Sequence, residues 1–327
     1  MIHGIVTRAE ALESGISPSR ITKLLQSKQW TRLHPGVFLT QSPDDVREKW
    51  LAELAGMIRW CDGDAAVSHR AAARLHGLDG IDDWAVDVTV PWESHARHND
   101  LIRSRTYLPA TTAIEGLPVT SVARTLRDLG RFYQTDVVEQ AIESALRGTN
   151  RMRPDHWNRA LLGELREAAL EHGPGLFVFR KALARRTDED RATGSRPETL
   201  ILQALRRCSV EVVRQPDVCL QRPGQRDDTF FPDFGVAGYR LLLDVEGLIA
   251  HGSATQLRRD ANRQNRLLPG FRMMRLAAID IMADADAVAA QVVARMRSLP
   301  EVGSQWREDG VTVCFNGQAS FTVRSTS

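Results

Sequence analysis

The segment Leu241-Leu242-Leu243-Asp244-Val245-Glu246 constrains this chain most, because an apolar run there ends in two carboxylates. Side chains alternate along a strand, so Asp244 and Glu246 project from the same face. Two like charges at the end of a buried strand are costly unless something positive sits beside them. Phe230-Phe231-Pro232-Asp233 adds a third carboxylate on what should be the neighbouring strand, and a divalent metal would satisfy all three. The alternative makes Pro232-Asp233 turn chemistry and leaves Asp244 and Glu246 solvated at the strand end.

Around that run the pattern predicts a helix over Pro197 to Arg207 and strands near Val210 to Leu220, Phe230 to Val236 and Tyr239 to Gly247. A helix over Ser253 to Leu268, a strand over Phe271 to Ala277 and a helix over Asp280 to Ser298 follow, which together indicate an α/β layer domain spanning residues 191–300. The tail, 301–327, holds Asn316-Gly317 between two alternating runs, the signature of a β-hairpin. Arg259, Arg263 and Arg266 recur on one face of the helix from Ser253, either tracking a phosphate backbone or forming a solvated ridge.

At the other end, Thr7 with Glu10 fits a capping box for a short helix that Gly15 stops. Ser17-Pro18 opens a second helix with Ile21, Leu24 and Leu25 as its apolar stripe. Two short strand-like runs, Trp30 to Leu33 and Gly36 to Leu39, meet around His34-Pro35-Gly36. Helix, tight turn, helix and hairpin is the order of a winged helix-turn-helix over residues 1–42, and it puts Arg20, Lys23 and Arg32 in position to contact DNA.

The middle region, 43–190, reads as helical over Asp45 to Trp60, from Ser68 onward, and over Ser121 to Arg131, Asp136 to Arg147, Pro154 to Glu171 and Leu176 to Arg186. Strands are expected at Trp84 to Val90 and Leu101 to Tyr107, and the polar stretch Thr187 to Arg196 is the best linker.

Composition narrows the function classes. With 43% hydrophobic and 26% charged residues the chain is neither disordered nor membrane-spanning, and four scattered cysteines without CxxC spacing argue for buried thiols over a disulfide framework or a zinc knuckle. Met1 to Gly4 lacks the start of a secretory signal, so a cytoplasmic location is expected. The net charge of +2 conceals basic ends, +3 over residues 1–42 and +4 over 191–300, around a middle of −4, which places any nucleic-acid contact at the ends. His95-Ala96-Arg97-His98 suggests a metal, but two histidines in a polar loop are better read as surface.

Over residues 195–298 the chain resembles the very-short-patch-repair-like branch of the PD-(D/E)XK endonucleases, through Ser195-Arg196-Pro197-Glu198, Pro232-Asp233-Phe234, Asp244-Val245-Glu246-Gly247, His251, Arg259-Asp260 with Arg263, and Gly270-Phe271-Arg272. The resemblance implies Mg²⁺ or Mn²⁺ held by Asp233 and Asp244, with Glu246 and Glu198 completing the shell and His251 as an acid or base. Two departures are visible. The branch's usual string is Glu-Val-Asp-Gly, so the acids at 244 and 246 are exchanged, and Lys181 is the last lysine, so the domain has none of its own.

Over residues 1–147 the chain resembles the AbiEi-type antitoxins, winged-helix transcriptional regulators of type IV toxin-antitoxin systems. The motifs are Gly4-Ile5-Val6-Thr7-Arg8, Gly15-Ile16-Ser17, Trp30 to Phe38, Ser68-His69-Arg70-Ala71-Ala72, Leu75-His76-Gly77-Leu78, and Gly116 to Ser121 with Ala123-Arg124-Thr125-Leu126. DNA and a cognate toxin are the partners this implies. The expected architecture is therefore α/β throughout: a winged helix-turn-helix, a mixed and mostly helical middle, and a PD-(D/E)XK-like layer domain. Two functions follow, a metal-dependent DNA endonuclease fused to a regulator, or a non-catalytic regulator or antitoxin that keeps only the nuclease fold.

Overall fold

The computed structural model describes residues 4–62, 64–99, 101–104, 111–147, 158–187, 190–220, 228–247, 271–300, 311–314 and 320–321. They form two compact units, Met1–Ile142 with Ala160–Leu183, and Glu143–Arg159 with Ala184–Ser327. The polar stretch expected to link domains therefore lies inside the second unit. Ala192 and Thr193 are buried there, and the Thr193 amide donates to Glu143 Oε2 at 3.1 Å, so this polar sequence is matched to protein partners rather than to solvent.

The first unit opens with strand β1 (Ile5–Thr7), helices α1 (Arg8–Glu13) and α2 (Pro18–Gln26), and strands β2 (Thr31–His34) and β3 (Val37–Leu39). The strands form one antiparallel sheet in the order β1-β3-β2. Capping sets both helices. Thr7 and Glu10 exchange backbone and side-chain hydrogen bonds at 2.7 and 3.2 Å, and Ser17 Oγ accepts the Arg20 amide at 3.3 Å ahead of Pro18. Between them Gly15 takes φ +81°, a conformation open chiefly to glycine. Ala11, Ile21 and Phe38 form the local core, with the Trp30 ring tilted against Phe38 at 5.8 Å.

Helix α3 (Val46–Trp60), capped by Asp45, packs against all three of these strands. Gly56 permits the approach: a Cβ there would lie 2.6 Å from Leu33 Cδ1. The other side of α3 supplies Leu51, Leu54 and Ile58 to a second core with Val67, Val88, Val90 and Val119. That core lines a mixed sheet ordered β6-β5-β4-β8-β7, made by β4 (Ala66–Val67), β5 (Val88–Pro91), β6 (Leu101–Ser104), β7 (Thr111–Ile114) and β8 (Leu117–Thr120).

The sequence reading anticipated two of these five strands. Strand β5 starts at Val88 rather than Trp84, because Trp84 packs edge-on against Trp50 at 5.4 Å and carries the Arg74 guanidinium 3.5 Å above its ring. Helices α4 (His69–Leu75), α5 (Val122–Leu129), α6 (Thr135–Leu146), α7 (Arg159–Leu170) and α8 (Leu176–Leu183) follow, α6 running across the boundary between the units. The expected start of α7 at Pro154 lies outside the described residues.

In the second unit α9 (Arg196–Arg207) and α10 (Ala278–Arg297) bury Ile201, Leu202, Leu205, Ile281, Val288 and Val292 against the sheet β14-β13-β12-β9. Its strands are β9 (Val212–Arg214), β12 (Phe234–Val236), β13 (Leu241–Glu246) and β14 (Arg272–Ala277). Strands β13 and β14 are parallel, and Leu241, Leu242 and Leu243 are buried in succession, as the apolar run requires of a strand covered on both faces. Helix α10 is kinked at Asp284 (φ −157°, ψ 89°), whose carboxylate accepts the Ala287 amide at 2.9 Å and so caps the longer second half.

A second sheet of this unit, β11-β10-β15-β16, joins β10 (Asp217–Leu220) and β11 (Asp228–Phe230) to β15 (Val311–Cys314) and β16 (Ser320–Phe321). The hairpin expected in the tail is thus present as β15 and β16, paired at Val313 with Phe321. Its Asn316-Gly317 turn lies outside the described residues. Cys61 is buried, as expected, but Cys208 is exposed, because it follows the last turn of α9. Among the described residues no helix is long and apolar enough to cross a membrane.

Candidate functional site

The first candidate surface is built by α2 and the β2–β3 hairpin. Ile21 and Leu24 anchor α2 to the core, which turns Ser19, Arg20, Thr22, Lys23 and Gln26 outward. Arg20 and Lys23 are one turn apart on that exposed side, and Arg32 is exposed on β2 beside a register shift between Arg32 and His34. Glu10, an acid of α1, is engaged elsewhere. Its backbone bond from Thr7 and its ion pair with Arg59 of α3 hold its carboxyl below the usual range.

The second candidate is the carboxylate cluster of the second unit. Glu198 is buried in the first turn of α9, where Gly194 N donates to its Oε2 at 2.6 Å and Ser195 Oγ to its Oε1 at 2.7 Å. Asp233 precedes β12 and accepts the Val245 amide of β13 at 2.7 Å, while its own amide faces Asp244 Oδ1 at 3.4 Å. Burial raises the pKa of Glu198; among the charges acting on it, Arg147 favours ionisation and Asp244 opposes it.

Asp233 and Asp244 are thus neighbours on adjacent strands. Glu246 is not part of that group, because it is exposed and paired with Arg275 Nη1 at 2.7 Å. His251, Arg259, Arg263 and Arg266 lie outside the described residues.

Both oxygens of Glu198 are taken up by protein donors, Glu246 is held by Arg275, and among the described residues no three His, Cys, Asp or Glu side chains are grouped to hold a metal. His95 and His98 are exposed, and the His98 ring sits edge-on at 5.3 Å from His34.

A third cluster escaped the sequence reading. Ser68 was expected to cap α4, yet its side chain caps nothing. Its Oγ instead accepts Thr89 Oγ1 at 2.8 Å and lies 2.9 Å from His69 Nδ1, and His69 Nε2 is 4.0 Å from Asp128. The order Ser, His, Asp is that of a nucleophilic triad, but Ser68 is 0% exposed and no substrate can reach it.

Burial pushes His69 down to about 4. Between there and the ordinary value of 6.5 the unfolded chain takes up a proton that the folded one refuses, so stability is full above pH 6.5 and falls as pH drops. The loss from this group is up to about 3 kcal/mol. Urea melts of His69→Gln should show a flatter dependence across that window; an unchanged slope would reject this assignment of the acid lability.

Residues 1–41 match a family described as transcriptional regulator, AbiEi antitoxin. The match covers β1 through β3 and includes Arg20, Lys23 and Arg32. No curated protein is similar enough to the whole chain to count as a match. The AbiEi-like segment supports a DNA-binding regulatory role, and its order of helices and strands is consistent with a winged helix.

Proposed function

We propose that the chain is a non-catalytic DNA-binding transcriptional regulator of the AbiEi antitoxin type, with DNA and a cognate toxin as its partners. The observation that carries this reading is the outward face of α2, where Arg20 and Lys23 stand clear of the core within the segment that matches the regulator family. The second helix of such a motif enters the major groove while the hairpin approaches the flanking backbone. The endonuclease alternative rests on residues 195–298, where Glu198 and Asp233 accept from backbone amides and Glu246 is paired with Arg275.

Fluorescence anisotropy on mixed-sequence duplex DNA tests the proposal. Wild type should bind with a steep salt dependence. The double variant Arg20→Ala, Lys23→Ala should bind more weakly and lower the slope of log K against log salt by about two, and Arg32→Ala by about one. Unchanged affinity and slope in the double variant would remove α2 from the interface. In the same buffers with Mg²⁺, supercoiled plasmid should stay intact. Nicking that disappears in Asp233→Ala would favour the endonuclease.

A further inference from the structure

Leu33 and His34 are consecutive residues of β2, and on a regular strand they would point to opposite faces. Both nevertheless meet α3. A Cβ on Gly56 would lie 2.6 Å from Leu33 Cδ1, and the His34 ring stacks on Trp60 at 5.2 Å with 15° between the planes. Gly56 and Trp60 are one helical turn apart, so the register shift between Arg32 and His34 accounts for two neighbouring side chains lying along one face of the helix.

A third ring closes on this pair from the loop after β5. That loop turns on the Ser94 amide, which donates to Pro91 O at 3.1 Å, and on Arg97 Nη1, which donates to Ser94 O at 2.9 Å. The His98 carbonyl then accepts the Leu101 amide of β6 at 3.2 Å. Ala96 and Trp60 both pack against the core of the five-stranded sheet, which gives loop and helix a common support. The His98 ring stands at 86° to the His34 ring with centroids 5.3 Å apart, and at 77° to Trp60 at 6.2 Å. His95 is close to His98 in sequence, but the imidazole that His98 meets is that of His34, from a distant strand.

Two imidazoles bound to one tetrahedral ion at about 2.0–2.1 Å bring their ring centroids to roughly 5.2 Å, whatever the angle between the rings. The observed separation matches that spacing. Imidazole nitrogen suits Zn²⁺, Ni²⁺ and Cu²⁺, whereas Mg²⁺ and Ca²⁺ take oxygen ligands. His98 is exposed and His34 half-buried, so water can reach the pair and complete the coordination, while the Trp60 face holds the His34 ring in place.

We propose that His34 and His98 form a two-histidine site for a transition-metal ion of the Zn²⁺ class. Such an ion joins β2 to the loop after β5, and so pins the hairpin that carries Arg32 to the five-stranded sheet. The site uses none of the carboxylates of the second unit and does not rest on the regulator reading, which concerns α2.

The test uses the full chain without an affinity tag, stripped with EDTA and dialysed before Zn²⁺ is added. Calorimetry should show stoichiometric Zn²⁺ uptake by wild type, and the melting temperature should rise with Zn²⁺ concentration. His34→Phe and His98→Phe each keep a ring in the cluster and remove a ligand. Each should weaken binding by at least about tenfold, the effect that losing even an outer-shell partner has. His95→Phe should bind as wild type does. Hydrogen exchange at the β2 and β3 amides should slow several-fold when Zn²⁺ is added to wild type and stay unchanged in His98→Phe, which leaves β2 untouched. Mg²⁺ should produce none of these responses.

If His34→Phe does not fold, His98→Phe decides alone, because its position is exposed. Uptake shared by wild type and both ligand variants would be an adventitious ion only and would overturn the proposal. So would a wild type that takes up no Zn²⁺ at millimolar concentration, or Zn²⁺ binding that leaves exchange in β2 and β3 unchanged.

Discussion

A Glu143→Gln variant is expected to lose about 3–5 kcal/mol of stability, as removal of one partner from a buried ion network does. Glu143 Oε1 accepts Arg186 Nη1 and Arg214 Nη1, each at 2.8 Å, with the three side chains exposed by 1%, 3% and 4% respectively. Burial opposes its charge, but Arg214 and Arg186 outweigh burial and hold the carboxyl below its ordinary 4.5. Its contribution is therefore complete above pH 4.5 and fades as pH falls through the lowered value.

Glutamine keeps the shape and removes the charge, leaving two guanidinium groups facing one another. Chemical denaturation at pH 7 should show the loss, and the difference between the two proteins should narrow as pH falls below 4.5. A difference below about 1 kcal/mol at pH 7 would mean the network contributes little more than a surface pair. The triple replacement Glu143→Leu, Arg186→Met, Arg214→Leu should recover most of the loss, since apolar isosteres often match or exceed a buried triad.

The second large effect is expected in the first unit, at Gly175. Its φ is +82°, and a Cβ would sit 2.4 Å from the Arg131 amide nitrogen and 2.7 Å from the Gly130 carbonyl carbon. The approach is reciprocal, because a Cβ on Gly130 would lie 2.1 Å from Gly175 O. Backbone meets backbone, so no rotamer change can relieve the clash. Gly175→Ala should cost about 1–2 kcal/mol for the left-handed conformation and about 1–3 more for overpacking, and Gly130→Ala the second component alone. Urea midpoints measure both. If Gly175→Ala unfolds within about 0.5 kcal/mol of wild type, this contact is looser than its geometry states.

Local signals were legible in the sequence. Thr7 with Glu10 and Ser17 with Pro18 fix helix starts through groups within a few residues, so α1 and α2 begin where their caps stand. The apolar run at Leu241 reads correctly because burial on both faces leaves no polar alternation to confuse it. Strand β4 was missed because two residues, Ala66 and Val67, form it, and its parallel partner Val119 is supplied from much later in the chain. The β7–β8 hairpin was missed because its turn is Glu115-Gly116, with φ of +52° and +78°, where the usual first residue is Asn or Asp.

The site was half legible. Pairing of Asp233 with Asp244 follows from strand order, and Glu198 is held by its own helix cap at Ser195. The diversion of Glu246 to Arg275 was not legible, since it depends on which side chain meets it across the parallel strand β14.

The family match ends at residue 41, but the protein has no seam there. Helix α3 backs β1, β2 and β3 on one side and completes the core of the five-stranded sheet on the other, with Gly56 fitted to Leu33. A gene fusion that moved only the matched segment to a new host would deliver its helices with one side of the sheet bare. The new host would have to bring its own counterpart of α3, glycine included. What can be inherited as a working piece is therefore longer than what is recognisable as a family.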